Sequence, residues 1–447
     1  MISGQQTKTK EYLQVKFLQF LKRYQDAFTR PEHKFLQDMC LGILKGETVI
    51  NNKIALNLLE DHSPKDICKR FTRHLNKEDL GTRLQASIIT NECHGFDMET
   101  GIIVDESDII KPKAKKMEGL QKVRDGSTGK NSNLGYNLLN IIAFKEGNTG
   151  YQIKPLSSDL IARDMELDSI SQTLDDRLVE INVACENKGV YLFDRGYDDR
   201  KHFALLNLYG MNYVVRSKGV RSLIVDDIER PFRSVVQKIK LNVKINATDS
   251  DDLMMCGIKR VKLRTDGHPK KNPETAELYL IVAKFAKHTD ESKGLFYLLC
   301  DFPSLPNLSN AEIIEKAIRM YRIRWKIEEF HKHIKQVYGW EKMQLSSYDR
   351  LINMNQVLLL AVCFLYSLKS YTVQIMQAFS HQIIYRLNKW MKIYDFVYYK
   401  LSSIVALCFA HVSRYNVDKY KGKWKDYMQL EIPGLENGGD VSVAVFP

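Results

Sequence analysis

Four side chains in the stretch Tyr321-Arg-Ile-Arg-Trp-Lys-Ile-Glu-Glu-Phe-His-Lys-His-Ile-Lys335 are spaced as if to act together: Tyr321, Arg324, Glu328 and Lys335. At about 100° per helical residue they fall within roughly 60° of one another, with Ile323, Ile327, Phe330 and Ile334 about a third of a turn away. One face is core, and the adjacent face sets a carboxylate between two cations and a phenol. Arg324 and Glu328 at i, i+4 form by themselves an ordinary helix ion pair worth a few tenths of a kcal/mol. Ser309 three residues before Glu312 is a capping box, and Gly339 follows the last apolar-periodic residue, so the pattern predicts one long helix between them.

Two further acids end apolar runs. Gly101-Ile-Ile-Val-Asp105 is rich in β-branched residues and finishes on Asp105; Asp108 and Asp97 are its competitors nearby. Gly189-Val-Tyr-Leu-Phe-Asp194 does the same and is followed by a sharp Arg195-Gly196 turn before Tyr197. An acid in such a place commonly only starts a turn. Three carboxylates, two on strands and one on a packed helix, can also cage hard divalent ions such as Mg²⁺, which want oxygen ligands rather than His or Cys. Phosphodiester bonds are cut when two such ions about 3.5–4 Å apart activate the attacking oxygen and stabilise the leaving one.

The spacing of Tyr321, Arg324, Glu328 and Lys335, together with Trp325 and Ile327, resembles the signature around the third catalytic carboxylate of the IS4-family insertion-sequence transposases. Asp194-Arg195-Gly196-Tyr197 after a strand resembles that family's second catalytic motif, and Tyr213-Val-Val-Arg-Ser-Lys218 looks like the strand that follows it. The resemblance implies that Asp105, Asp194 and Glu328 are catalytic and metal-binding with Mg²⁺, Mn²⁺ being a substitute. It also implies that Arg324 and Lys335 clamp phosphates beside the scissile bond and that Tyr321 touches the same strand. The implied activity is cleavage at the terminal inverted repeats of the protein's own element and transfer of the 3′ ends to target DNA, with a dimer on double-stranded DNA. A DNA-binding descendant without catalysis and a nuclease on the same core are the alternatives.

The elements needed to position these residues are legible in outline. Residues 1–92 read as short helices, with fifteen Lys or Arg against ten Asp or Glu in the first ninety residues, compatible with a DNA-contacting region. A strand pair at Leu134–Phe144 and Tyr151–Leu156, a helix over Asp159–Asn182, the strand ending at Asp194, a helix and a further strand suggest an α/β class with an RNase H-like core over 93–218 and 306–345. The interval between Asp194 and Glu328 is too long for such a core, and residues 219–305 read as a β-rich insertion with a basic hairpin at Lys259, Arg260, Lys262, Arg264, Lys270 and Lys271. It contains no tryptophan, although some members of the resembled family use one to hold a flipped base. Residues 346–447 read as a helical region, with helices at Leu351–Leu368 and Val373–Trp390 and a cation–aromatic stretch at Lys419–Lys425.

Across the 447 residues the net charge is +12, which favours a polyanionic partner. The run from Lys111 to Lys130, with seven cations against two acids, reads as a loop that holds phosphates. The eight cysteines lack any C-x-x-C pair, which argues against a zinc site or a disulfide framework and reads as reduced residues in a cytoplasmic protein, while the family resemblance implies that it is nucleoid-associated. The first residues lack the apolar core of a signal peptide, and the apolar run Val357–Leu368 is too short to cross a bilayer, so no membrane association is expected.

Overall fold

Strands buried on both faces read as unbroken apolar runs, and Gly101–Ile110 (β1), Val190–Phe193 (β5) and Tyr213–Arg216 (β6) carry such runs at the centre of the computed structural model. The structure describes residues 4–123, 133–147, 150–162, 170–246, 253–266, 274–285, 294–371, 375, 398–410 and 412. β1 pairs in parallel with β5, setting Val104 opposite Phe193, and β5 pairs in parallel with β6, setting Phe193 opposite Val215. Alternate residues go to opposite faces. Ile103, Leu192 and Val214 join one apolar core; Val104, Phe193 and Val215 join the other.

On one side of β1 the sheet continues with Gln121–Val123 (β2), Asn133–Gly147 (β3) and Gly150–Ile161 (β4), all antiparallel to their neighbours. The predicted strand pair is therefore present. The predicted helix over Asp159–Asn182 is present but does not start at Asp159: residues 159–161 still belong to β4, and the described helix is Ile170–Ala184 (α6). Asp159 is a buried strand residue that receives bonds of 2.9–3.1 Å from Arg177 of α6, so an acid that reads as a helix start instead holds the helix against the sheet.

On the other side, residues 219–305 form Ser222–Val225 (β7), Ile228–Pro231 (β8), the short helix Phe232–Val236 (α8), Val243–Asn246 (β9), Leu253–Arg264 (β10), Thr275–Phe285 (β11) and Leu295–Asp301 (β12). They are β-rich as expected. β12 pairs antiparallel with β6, Cys300 opposite Val214, so this segment extends the central sheet. Among the described residues twelve strands form one sheet in the order β2-β3-β1-β5-β6-β12-β11-β10-β7-β8, with β4 on β3 and β9 on β10.

Helices cover both faces. α6 and Arg200–Leu208 (α7) lie over one. Over the other lie Gly4–Lys22 (α1), Arg30–Gly46 (α2), Asn51–Asn57 (α3), Pro64–Leu75 (α4) and Leu80–Glu92 (α5), together with helices from the second half of the chain. Among the latter are Tyr348–Ser367 (α11) and Tyr398–Phe409 (α12), and Phe17 of α1 packs edge-on to Phe364 and Phe409 with ring centroids 5.2 and 5.6 Å away. The N- and C-terminal helical segments thus share one core. α11 begins earlier than its apolar run and is long and apolar enough to cross a membrane, but it is buried in the fold. Its polar side chains fasten it there: Asn355 donates to the Ser158 carbonyl at 2.7 Å, and Asn353 donates to the carbonyls of Leu75 and Lys77 at 2.8 Å. The helix predicted over Val373–Trp390, apart from Ile375, lies outside the described residues, as do the Lys419–Lys425 stretch, Lys130, Lys270 and Lys271.

The predicted long helix is two. Asn310–Arg322 (α9) opens with the Ser309/Glu312 capping box, and Lys326–Val337 (α10) ends before Gly339, whose φ of 64° suits glycine at a helix stop. Between them the backbone tightens to i→i−3 bonds, Arg324 to Tyr321 at 3.1 Å and Glu328 to Trp325 at 3.0 Å. α9 packs over β5, β6 and β10, whereas α10 packs on β1 and α12. Strands of a twisted sheet run at angles of about 20–25° to their neighbours, so one straight helix could not follow both sets.

Candidate active site

In parallel register the residues that follow Val104, Phe193 and Val215 are Asp105, Asp194 and Arg216, which sets two acids and a cation in a row beside the carboxyl ends of β5 and β6; β1 does not finish on Asp105 as its apolar run suggests but stays paired with β3 as far as Ile110, so Asp105 lies midway along it. That edge is where open α/β sheets bind ligands. After Asp194 the chain makes a single 3₁₀ turn, Arg195–Tyr197, and Asp198 locks it: the buried carboxylate accepts from Ser217 Oγ at 3.0 Å and from the Lys218 backbone N–H at 2.7 Å, and pairs with Arg221 at 2.8 Å. Tyr197 donates to Glu106 at 3.3 Å, tying the same turn to β1.

The helix side meets this row through three contacts. Tyr321, in the last turn of α9, donates to Asp194 Oδ1 at 3.2 Å. Arg324, in the break, lies 3.7 Å from Asp105 Oδ2 and 3.7 Å from Glu328 Oε1. Lys335, near the end of α10, lies 3.6 Å from Asp108. Asp105, Asp194, Tyr321, Arg324 and Glu328 therefore form one connected group, while Lys335 joins it a short way along β1. Asp97 stands before the start of β1, paired with Lys145 at 2.5 Å. Glu328 is in the first turn of α10 with its side chain 65% exposed, and it meets Asp105 through Arg324.

The electrostatics separate the two aspartates. Burial pushes the Asp105 carboxyl up to about 6; Asp194 and Glu328 push the same way, against the pull of Arg324 and the Glu106 N–H. Burial also opposes ionisation of Asp194, but the Arg195 N–H, Arg324, the Tyr321 hydroxyl and Arg216 together outweigh it and hold this carboxyl below the usual range. Arg324, although burial works against its charge, is held more firmly protonated by Asp194, Tyr321 and Asp105. Arg216 escaped the sequence reading; its signal was its position, one residue past the apolar run of β6.

A family model for the transposase DDE domain matches residues 97–364, more than half of the chain and the whole of this site. The chain belongs to this transposase family. A search of curated proteins finds no significant match. DDE transposases act on DNA as nucleases and strand transferases and generally use divalent metals. The donors here fit such an ion in kind, since all are carboxylate oxygens and Asp105 is held up by two other carboxylates. Among the described residues, no three acidic, His or Cys side chains already stand as a closed metal cage. Glu328, turned toward solvent beside Arg324, is the open corner.

Two readings of the transposase's basic surface change. Lys111, predicted to hold phosphates, is buried, with Nζ donating to the carbonyls of Trp340, Glu341 and Met343 at 3.3, 2.8 and 2.8 Å; burial lowers its pKa to about 8. It fastens the turn after α10, leaving Lys113, Lys115, Lys116 and Lys122 exposed. On the predicted basic hairpin, Arg260, Lys262 and Arg264 pair with Glu277, Asp227 and Glu229 at 2.7, 2.9 and 3.2 Å. Exposed pairs of this kind are weak enough to exchange for phosphates.

Proposed function

We propose that this DDE transposase is of the IS4 type, acting in the cytoplasm as a dimer on the double-stranded ends of its own insertion sequence. Asp105, Asp194 and Glu328 are its catalytic carboxylates and would hold Mg²⁺, with Mn²⁺ as a substitute. The observation that carries the reading is the side-by-side placement of Asp105 and Asp194 just past the last parallel pair of β1 and β5, with Arg324 linking Asp105 to Glu328. The order β4-β3-β1-β5-β6, with β1, β5 and β6 parallel, supports an RNase H-like core.

Bound divalent ions would supply activation of the attacking oxygen and charge stabilisation of the leaving one. The chain's own residues do the rest. Asp194, held ionised, and Asp105 offer oxygen ligands from a rigid sheet edge; Tyr321 fixes the rotamer of Asp194; Arg324 and Arg216 set positive charge where a phosphate would lie, and Lys335 extends that charge along β1. Water attacks the phosphodiester at the element end and releases a 3′-hydroxyl; that hydroxyl attacks a phosphodiester of the target strand, joining to its 5′-phosphate as the target's own 3′-hydroxyl leaves. Helices in residues 1–92 and the β-rich 219–305 segment serve DNA binding around the 93–218 and 306–345 core, with the 346–447 region, through α11 and α12, as support.

The test is incubation of the protein with DNA flanking its own gene, with Mg²⁺ or EDTA, for the wild type and Asp194→Ala. Nicking at the element boundary should need both the metal and the aspartate. Joining of the cut 3′ end to a second duplex separates a transposase from a plain nuclease, and binding without nicking would leave only a DNA-binding protein.

A further inference from the structure

Asn140, midway along β3, is fully buried, yet neither its amide oxygen nor its amide nitrogen has a hydrogen-bond partner within the chain. Leaving a buried polar group in that state is costly, because its desolvation goes uncompensated. The register shows where it is aimed. Asn140 stands directly opposite Asp105 on β1 and opposite Ser158 on β4. Opposed residues in antiparallel strands project to the same face, with Cβ atoms about 4.5–5.5 Å apart. The face is the one where Ile103 and Ile109 of β1 and Leu138 and Ile142 of β3 meet the helical layer containing α10 and α11.

Of the two neighbours, Ser158 is already committed to α11. Its Oγ accepts from Asn355 at 3.0 Å, and its carbonyl accepts from Asn355 and Gln356 at 2.7 Å each. A break in the β3–β4 register falls just after Asn140, between Ile141 and Ile142. The extra residue there is Leu156 of β4, and irregularities of this sort recur beside active sites. On β1 the residue that faces Asn140 is Asp105.

We propose that Asn140 is a positioning residue of the divalent-ion site: its amide nitrogen, unpaired in this structure, donates to the facing Asp105 carboxylate when the site is loaded and holds that carboxylate in place. The inference rests on the reading of Asp105 as a metal ligand. Partners that orient metal-binding carboxylates commonly change affinity by 10- to 100-fold when removed.

The experiment is titration of the full-length chain with Mn²⁺, followed by electron paramagnetic resonance, for the wild type, Asn140→Leu, Asp105→Asn and the double variant, with thermal unfolding in parallel. Asn140→Leu should weaken Mn²⁺ binding about 10-fold, leave the unfolding temperature unchanged or higher, and cause no further loss in the Asp105→Asn background. Wild-type affinity in Asn140→Leu, beside a weakened Asp105→Asn, overturns the role of Asn140 and leaves the metal reading standing. Unaltered affinity in Asp105→Asn overturns both. An undiminished loss in the double variant also overturns the proposal. Should Asn140→Leu fail to fold, Asn140→Ala takes its place, and unfolding of both shows a structural amide and overturns it.

Discussion

The hydroxyl of Tyr321 donates to Asp194 at 3.2 Å, joining the end of α9 to the end of β5 between residues 127 apart in sequence. It is one of several groups that keep Asp194 ionised, alongside the Arg195 N–H, Arg324 and Arg216. Tyr321→Phe removes this bond while keeping the ring. Cleavage of element-end DNA should fall about 10-fold, equivalent to ~1.4 kcal/mol, with the fold intact by circular dichroism. An unchanged single-turnover rate would show that Tyr321 does not hold Asp194 during the reaction.

Arg324 has a larger part because it touches both Asp105 and Glu328. Without it, Asp105 keeps its acidic neighbours and loses its countercharge. Arg324→Ala should lower cleavage by about 100-fold or more, as loss of a charge aimed at a reacting phosphate does. Arg324→Lys should recover little, since an ammonium cannot span two carboxylates as a planar guanidinium does. Full rescue by lysine would reduce the role of Arg324 to that of a point charge.

Asp105 links activity to acidity. Its carboxyl is raised from 3.8 to about 6, so the unfolded chain releases this proton at lower pH than the folded one. Between those values the folded state holds the extra proton, and the contribution of this group to stability falls as pH rises, reaching its full penalty above about 6. Asp105→Asn should therefore raise the unfolding temperature at pH 7 by an amount worth about 1–3 kcal/mol, a gain that is smaller near pH 4, and should abolish cleavage. Wild-type cleavage should decline as the pH drops through about 6. A variant less stable than wild type at pH 7 would show that the pair with Arg324 outweighs burial.

Much of this site was legible because its chemistry lies in short local patterns. An apolar run ending on an acid marked Asp105 and Asp194, and helical spacing brought Tyr321, Arg324 and Glu328 together. The helix break was hidden because Ile323-Arg324-Trp325 contains neither Gly nor Pro; it follows from two helices tracking different strands of a twisted sheet. Arg216, Asn140 and the burial of Lys111 depend on strand register and on packing between distant segments. No local period encodes them. For the same reason no local period shows that β12 of the 219–305 segment hydrogen-bonds to β6 and continues the sheet.

Asp198, four residues past Asp194, carries the last expectation. Its buried carboxylate joins the turn after β5 to Ser217, Lys218 and Arg221 beyond β6, so it holds the loop on which Asp194 depends. Asp198→Ala leaves Arg221, only 16% exposed, without its acidic partner and leaves the Lys218 N–H unpaired. Breaking a buried pair from one side costs about 3–5 kcal/mol, and urea unfolding should report a loss of that order. Asp198→Asn keeps an acceptor for Ser217 and Lys218 and should lose less than the alanine variant. Because Asp198 touches no proposed ligand or substrate group, Mn²⁺ affinity of the folded asparagine variant should stay near wild type even where cleavage slows through a looser Asp194 turn. A large fall in metal affinity at full stability would place Asp198 inside the ion site instead of behind it.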